Sequence, residues 1–384
     1  SRSLFTRMAA FVNQEQRELH SVLIKRKGTF REDEYHVPGG YDISNVTAIG
    51  SGSYGTVVRT MADSLRVDKD GQRIKIEVAI KKYSNPVGCT ESAQRCYRRI
   101  ILLQLLDHPN VNRLIDMYAS TGADGMDAIY IVTKYAGSTL DKILEYQRFN
   151  PKRVHLNMKS IRQITRDVLS ALNYLKALNV VHHDLNPSNI AVNCEGKGVL
   201  IDYGADKTKD ETDRYFQCHS AHIHPYRAPE AILSYNRRFG IEANMWSLGC
   251  IVYEMLTWQT LFTAKVSFFI NARQKNIEVG DASDESQPEN FKEYLTARNR
   301  VANFDDPQQA TIVDFFENCM KFDPNERITI ENALMHPFIG DLYSPEDLSH
   351  VTPFSNEVDS ERDPEVWTKI IDDEIRKFQA RIHP

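Results

Sequence analysis

An α+β fold in two parts, a smaller one mostly of strands and a larger one mostly of helices, is what this sequence predicts. Three observations carry the prediction. Short Val- and Ile-rich segments follow Tyr41, helical spacing takes over from Ile161, and 384 residues at 41% hydrophobic are enough to pack two cores. A formal net charge of -5 without any strongly basic domain excludes a general affinity for nucleic acid. The six cysteines (Cys89, Cys96, Cys194, Cys218, Cys250, Cys319) lack the paired spacing of a zinc cage or a disulfide framework, which favours a reducing compartment. The longest apolar runs, residues 100–103 and 199–201, fall far short of the ~20 residues of a membrane helix, so no membrane contact is expected.

The elements follow in order. The chain opens at Ser1 with scattered basic residues (Arg2, Arg7, Arg17, Lys25, Arg26, Lys27), and a solvated extension is expected there in preference to a targeting segment. Gly50-Ser51-Gly52-Ser53-Tyr54-Gly55, bounded by Ile49 and Val57-Val58, reads as strand, glycine loop, strand. Glycines let backbone amides approach a phosphate without a Cβ clash, although such a loop alone is common to many turns. A strand over 76–82 carries Val78-Ala79-Ile80-Lys81, whose lysine is in reach of phosphates held by the loop. A solvated strand-end lysine is the competing reading of Lys81, and the glycine loop upstream and the aspartates downstream weigh against it. Cys96, Ile100 and Leu103 mark a helix over 91–106 that stops near Asp107-His108-Pro109. A strand over 128–133 leads into Lys134-Tyr135-Ala136-Gly137, a hinge whose backbone suits an adenine ring, and the domain division falls near residue 136. Ile164, Val168, Leu169, Leu172 and Leu175 line one buried helical face.

The most specific pattern comes next. In His182-His183-Asp184-Leu185-Asn186-Pro187-Ser188-Asn189, Asp184 stands five residues before Asn189, and Asp202 of Asp202-Tyr203-Gly204 stands thirteen beyond it. One base and two oxygen ligands for divalent ions are the set that phosphoryl transfer requires.

On these motifs, together with Tyr226-Arg227-Ala228-Pro229-Glu230, Met245-Trp246-Ser247-Leu248-Gly249-Cys250 and the tail residues 367–378, the chain resembles the eukaryotic protein kinases. Within them it is most similar to the stress-activated, p38-like branch of the mitogen-activated protein kinases, over roughly residues 30–380. The resemblance implies the bilobal kinase fold: an extension over 1–40, a mostly-β N-lobe over 41–136, a mostly-α C-lobe over 137–340, and a C-terminal extension over 341–384. That last segment would return to the N-lobe through Trp367, Ile371 and Phe378.

The resemblance also implies ATP and Mg2+ as cofactors. Ile49, Gly50, Ser51, Gly52, Ser53, Tyr54, Gly55, Val57, Val58, Ala79, Lys81, Thr133 and Ala136 would surround the nucleotide, with Lys81 on its α- and β-phosphates. Thr133 would guard the back of the adenine pocket, and Val58 and Ala79 would line its roof. Asn189 and Asp202 would bind magnesium, Asp184 would accept the substrate hydroxyl's proton, and Asn186 would stand beside the transferring phosphoryl. Glu230 and Arg327 match a buried ion pair of the large lobe.

Several positions depart from the family. Arg99 stands where a glutamate would meet Lys81, and two cations at about 4 Å repel by roughly 1 to 4 kcal/mol. The helix is therefore expected to swing outward, unless Arg99 turns toward Asp202, contacts a nucleotide phosphate, or points to solvent. His183 and Asn186 replace an arginine and a lysine, and loss of one donor to a developing anion slows such reactions on the order of 10²- to 10³-fold. Tyr203 replaces a phenylalanine expected to pack between His182 and Leu103. Asn244 replaces an aspartate that accepts catalytic-loop amides, and Thr139, with Asp141 two residues on, replaces a ribose-binding aspartate. Cys218-His219-Ser220 occupies the place of the Thr-x-Tyr phosphorylation site, while Arg95, Arg98 and Lys207 keep much of its basic pocket. Ile223 and Pro225 remove the basis for proline-directed specificity.

A serine/threonine kinase with atypical activation is therefore expected, ahead of a nucleotide-binding pseudokinase scaffold and of a purely structural module. Protein substrates and upstream kinases or phosphatases are the implied partners, through basic docking motifs on Glu195, Glu346 and Asp347. An ordinary solvated acidic surface competes equally for those three residues. A monomer in the cytoplasm, and also the nucleus, completes the expectation.

Overall fold

The computed structural model describes residues 19–25, 32–52, 55–67, 69–122, 125–150, 152, 156–203, 225–233, 240–262, 306–342, 344–345, 348, 350–354 and 363–382. The chain forms two compact units. The first comprises Ser1–Asp107, Asn112–Tyr135 and Asn356–Pro384, and the second His108–Val111 and Ala136–Ser355.

The first unit opens with an antiparallel hairpin, β1 (Leu19–Lys25) and β2 (Glu32–Pro38), in which Val22 faces Tyr35. A five-stranded antiparallel sheet follows: β3 (Thr47–Gly52), β4 (Gly55–Val67), β5 (Arg73–Ser84), β6 (Leu114–Gly122) and β7 (Gly125–Lys134), in the order β3-β4-β5-β7-β6. Period-2 alternation gives the sheet one fully buried face, where Val58, Val78, Ile80 and Val132 cluster with Tyr35 and Val37 of the hairpin. The solvated extension expected for residues 1–40 is thus corrected over both strands. Tyr35 and Val37 alternate like any half-buried strand and have no exposed surface.

Helix α1 (Thr90–Leu105) ends before His108-Pro109, because the residue preceding a proline disfavours the helical region. The second unit begins with β8 (Ser138–Thr139), α2 (Leu140–Phe149) and α3 (Met158–Ala177). Asn157 caps α3 by accepting from the Ser160 amide at 2.9 Å, and Ile164, Val168, Leu169, Leu172 and Leu175 are all buried. Strands β9 (Ile190–Val192) and β10 (Gly198–Leu200) complete a small sheet ordered β10-β9-β8. Gly137, at φ 109°, is required beside it, since a Cβ there would lie 2.1 Å from the Val192 carbonyl oxygen.

Helices α4 (Pro229–Leu233), α5 (Glu242–Thr257), α6 (Asp306–Cys319) and α7 (Ile330–Leu334) follow among the described residues of this unit. Residues 243–257 of α5 are buried all round, as suits a helix at the centre of a core. The last helix, α8 (Pro364–Ile382), belongs to the first unit and buries Trp367, Ile371, Ile375, Phe378 and Ile382 at helical spacing. Trp367 lies 5.7 Å from the Tyr97 ring of α1, and Gln379 donates to the Met117 carbonyl at 2.9 Å. Among the described residues no helix is long and apolar enough to cross a membrane.

Candidate active site

Strands β3 and β4 bring Gly52 opposite Gly55, and a bulge at Ile49 shifts the register so that Gly50 pairs with Val57 and Ser51 with Thr56. Ser53 and Tyr54, expected to touch nucleotide, lie outside the described residues. Lys81 stands opposite Val57 on β4 and Ile131 on β7, and Ala79 stands opposite Thr133. Directly paired and alternate residues share a sheet face, so Val57, Ala79, Lys81 and Thr133 form one surface.

Val58 points the other way, fully buried with Tyr35 and Ile80, which corrects its assignment to the same roof as Ala79. A one-residue step along a strand reverses the face, and Val57 is the residue that the register places on the face of Ala79 and Lys81. Thr133 Oγ1 accepts from Asn112 Nδ2 at 3.0 Å. Ala136 is half-buried at the start of the second unit.

Arg99 is 9% exposed, and its guanidinium carbon lies 4.7 Å from the centroid of the Tyr83 ring. The Lys81 ammonium lies 5.2 Å from the same centroid. The expectations that Arg99 points to solvent, or that α1 swings away from the sheet, are corrected by this arrangement. Each cation beside an aromatic ring gains about 0.5 to 2 kcal/mol, which opposes the repulsion between two like charges gathered at one ring. Tyr83 was not among the predicted site residues. Its signal was available: it stands two residues beyond Lys81 on one strand and therefore on the same face.

In the second unit the catalytic-loop residues hold one another. Asn189 Nδ2 donates to the Asp184 carbonyl at 2.7 Å and to its carboxylate Oδ2 at 3.0 Å. That engages the amide nitrogen with the carboxylate and leaves Oδ1, the atom a hard cation requires. The Ile201 amide donates to the Asn189 carbonyl at 2.9 Å, so Asn189 and the exposed Asp202 issue from adjoining backbones. Asp202 and His183 both hold positive φ, 53° and 61°, a strained conformation for non-glycine residues that concentrates at functional sites.

Asn186 is 3% exposed; its Nδ2 donates to the Asp184 carbonyl at 2.9 Å and its Oδ1 accepts from the Ser188 amide at 2.9 Å. Asn186 therefore caps the turn Pro187–Asn189 as well as standing beside Asp184. His182 is fully buried, and burial pushes its imidazole down to about 4 against the opposing pull of Asp184 and Asp202. Tyr203 meets it edge-on at 6.3 Å. A small pocket beside this loop has His183, Asp184, Ala228 and Asn244 on its wall. Arg327 donates through both terminal nitrogens to Glu230, at 2.5 and 2.6 Å, and through its remaining N–H groups to the carbonyls of Lys321, Phe322 and Glu242.

Residues 43–339 match the family described as the protein kinase domain. Mitogen-activated protein kinase pmk-3 of Caenorhabditis elegans is 30% identical, over 83% of this chain and 68% of its own length. The chain belongs to the mitogen-activated protein kinases. Mitogen-activated protein kinase 12 of Danio rerio is 29% identical, over 92% of this chain and 95% of its own. Mitogen-activated protein kinase 14 of Xenopus laevis is 29% identical, over 90% and 92%.

Against that kinase frame the departures acquire structural meaning. Asn244, in place of an aspartate, is 3% exposed, and its Nδ2 has no hydrogen-bond partner among the described residues. An aspartate would present an acceptor where this amide presents a donor. Tyr203 is 4% exposed, so its added hydroxyl sits in a buried setting. Thr139 precedes α2 without a side-chain capping bond, and Asp141 lies in its first turn. Glu195 pairs with Lys197 at 2.9 Å, which reduces its free negative charge. Lys207, Cys218-His219-Ser220, Ile223, Glu346 and Asp347 lie outside the described residues; Pro225 lies in a turn within them.

Among the described residues no group of three or more His, Cys, Asp or Glu could hold a metal ion. Magnesium shared with phosphates needs no such cage, because one or two protein oxygens complete its shell with phosphate and water. The donor set of Asn189 and Asp202 fits it.

Proposed function

We propose that this protein transfers the γ-phosphoryl group of ATP to serine or threonine hydroxyls of proteins, with magnesium bound by Asn189 and Asp202. The observation that carries the reading is the held carboxylate of Asp184: Asn189 fixes Oδ2, and the backbone bond from Ile201 to Asn189 sets Asp202 beside the pair. A base so fixed is ready to accept the hydroxyl proton as the phosphoryl leaves ATP. Magnesium, when bound, neutralises charge developing on the phosphate oxygens. Lys81 binds phosphate, the backbone of Gly50, Ser51, Gly52 and Gly55 covers it, and Val57, Ala79 and Thr133 contact the base. Asn186 orients Asp184 through its carbonyl and stands by the transferring group. Activation proceeds without the Thr-x-Tyr switch, since Cys218-His219-Ser220 occupies its place.

A second reading, a nucleotide-binding scaffold without turnover, is favoured by the orphaned Asn244 amide and by the charge lost at His183 and Asn186. Single-turnover transfer from radiolabelled ATP to a generic basic protein separates the two. Slow incorporation, abolished in Asp184→Asn, is expected. ATP binding with no label transferred by the parent chain would leave only the scaffold. Partners carrying basic docking motifs, a monomeric state and a cytoplasmic and nuclear location belong to the same proposal.

A further inference from the structure

We infer that Arg99 is a second phosphate-binding cation of the nucleotide site, and that Tyr83 is the positioning residue that holds it beside Lys81. The inference rests on the nucleotide reading above and deepens it. Lys81 faces Val57, two residues past the end of the glycine hairpin, and Tyr83 follows on the same face of β5. Arg99 reaches that face from α1, and its guanidinium lies against the ring that also meets the lysine ammonium. One cation of the strand and one of the helix thus meet at a single ring, on the sheet face that Lys81 shares with Val57 of the glycine hairpin's second strand.

One phosphate cannot use both charges to the full; a polyphosphate, with charge along its length, can. A guanidinium also adds a planar fork of donors that an ammonium lacks, which suits phosphate oxygens. At 9% exposure Arg99 has little rotamer freedom left to lose on binding, and the ring keeps its charge in place before the ligand arrives. Arg99 stands where the family has a glutamate, so a second cation takes the place of the acid that would pair with the lysine.

Calorimetric titration of the full chain with magnesium and ATP, ADP, AMP or adenosine, and separately with inorganic tripolyphosphate, tests this. Arg99→Gln should weaken ATP roughly 10- to 100-fold, the size of one charged hydrogen-bonding contact, with a loss that shrinks as phosphates are removed and falls below about two-fold for adenosine. Arg99→Lys should lie in between. Tyr83→Leu should repeat the phosphate-graded loss, and Tyr83→Phe, which keeps the ring, should retain more affinity than Tyr83→Leu. An ATP-to-adenosine affinity ratio unchanged or raised in Arg99→Gln would overturn the inference, as would equal losses for all four ligands. If the parent chain binds none of the nucleotides, the kinase reading fails by itself. Tripolyphosphate then decides: binding lost in Arg99→Gln supports the two-cation site, and absent or unaltered binding refutes it.

Discussion

His182 sits at the centre of the catalytic loop with no exposed surface, between the pull of two carboxylates and the larger effect of burial. Its folded value of about 4 lies below the 6.5 of an exposed imidazole, so the folded protein refuses a proton that the unfolded chain accepts. Stability therefore rises with pH between about 4 and 6.5, is complete above that window, and declines as the medium is acidified through it. The contribution is on the order of 3 kcal/mol at neutral pH. Urea denaturation of the parent and of His182→Phe at pH 7.5 and pH 4.5 measures it: the variant should lose less stability on acidification by that amount, and parallel losses would mean the imidazole is not held neutral. Asp184, Asn189 and Asp202 stand out in sequence by their spacing, and the structure brings Asn189 onto the Asp184 carboxylate and sets Asp202 on an adjoining backbone. The face that Tyr83 shares with Lys81 follows from the period of the strand, whereas its contact with Arg99 depends on a second element. The choice between Val57 and Val58 turned on a strand register that sequence leaves open until the bulge at Ile49 is located.

Elements are where local pattern was most readable. The strand expected over 76–82 is the centre of β5, and the helix expected over 91–106 differs from α1 by one residue at each end. Hairpin β1–β2 escaped because scattered basic residues mask two short alternating segments, and its core contacts are long-range ones, such as the Tyr35 hydroxyl with the Thr56 carbonyl. The ion pair of Glu230 and Arg327 shows how an element is fastened. Arg327 has a fully buried side chain, and its five N–H groups all reach acceptors on α4, the start of α5 and the loop after α6. Removing one member leaves a charge unpaired away from water. Glu230→Gln should thus cost about 3 to 5 kcal/mol in chemical denaturation, far above the value of a surface ion pair. A loss below 1 kcal/mol would show that the carbonyls alone satisfy the guanidinium.

For the whole molecule, the α+β class was readable because hydrophobic period changes from 2 to 3.6 along the chain, while what lies in the replaced family positions took coordinates to interpret. Arg99 reads in sequence as a repulsive defect and in structure as one of two cations on a shared ring. The consequence at this scale is thermodynamic. A ligand that binds only the folded chain stabilises it by an amount set by its concentration over its dissociation constant, about 2.7 kcal/mol at a hundred-fold excess. On the proposed function, ATP with magnesium should raise the thermal unfolding midpoint, and chelation of magnesium should remove most of the rise, because Asn189 and Asp202 would act on phosphate through the ion. Asp202→Ala should show the chelated behaviour even with magnesium present, whereas Asp184→Asn, which alters the base and leaves both ligands in place, should keep the shift while losing phosphoryl transfer. That pair of variants separates binding from chemistry in one protein. A midpoint for the parent chain that does not move with millimolar ATP and magnesium would remove nucleotide from the account altogether and leave a kinase fold that works by recruiting other proteins.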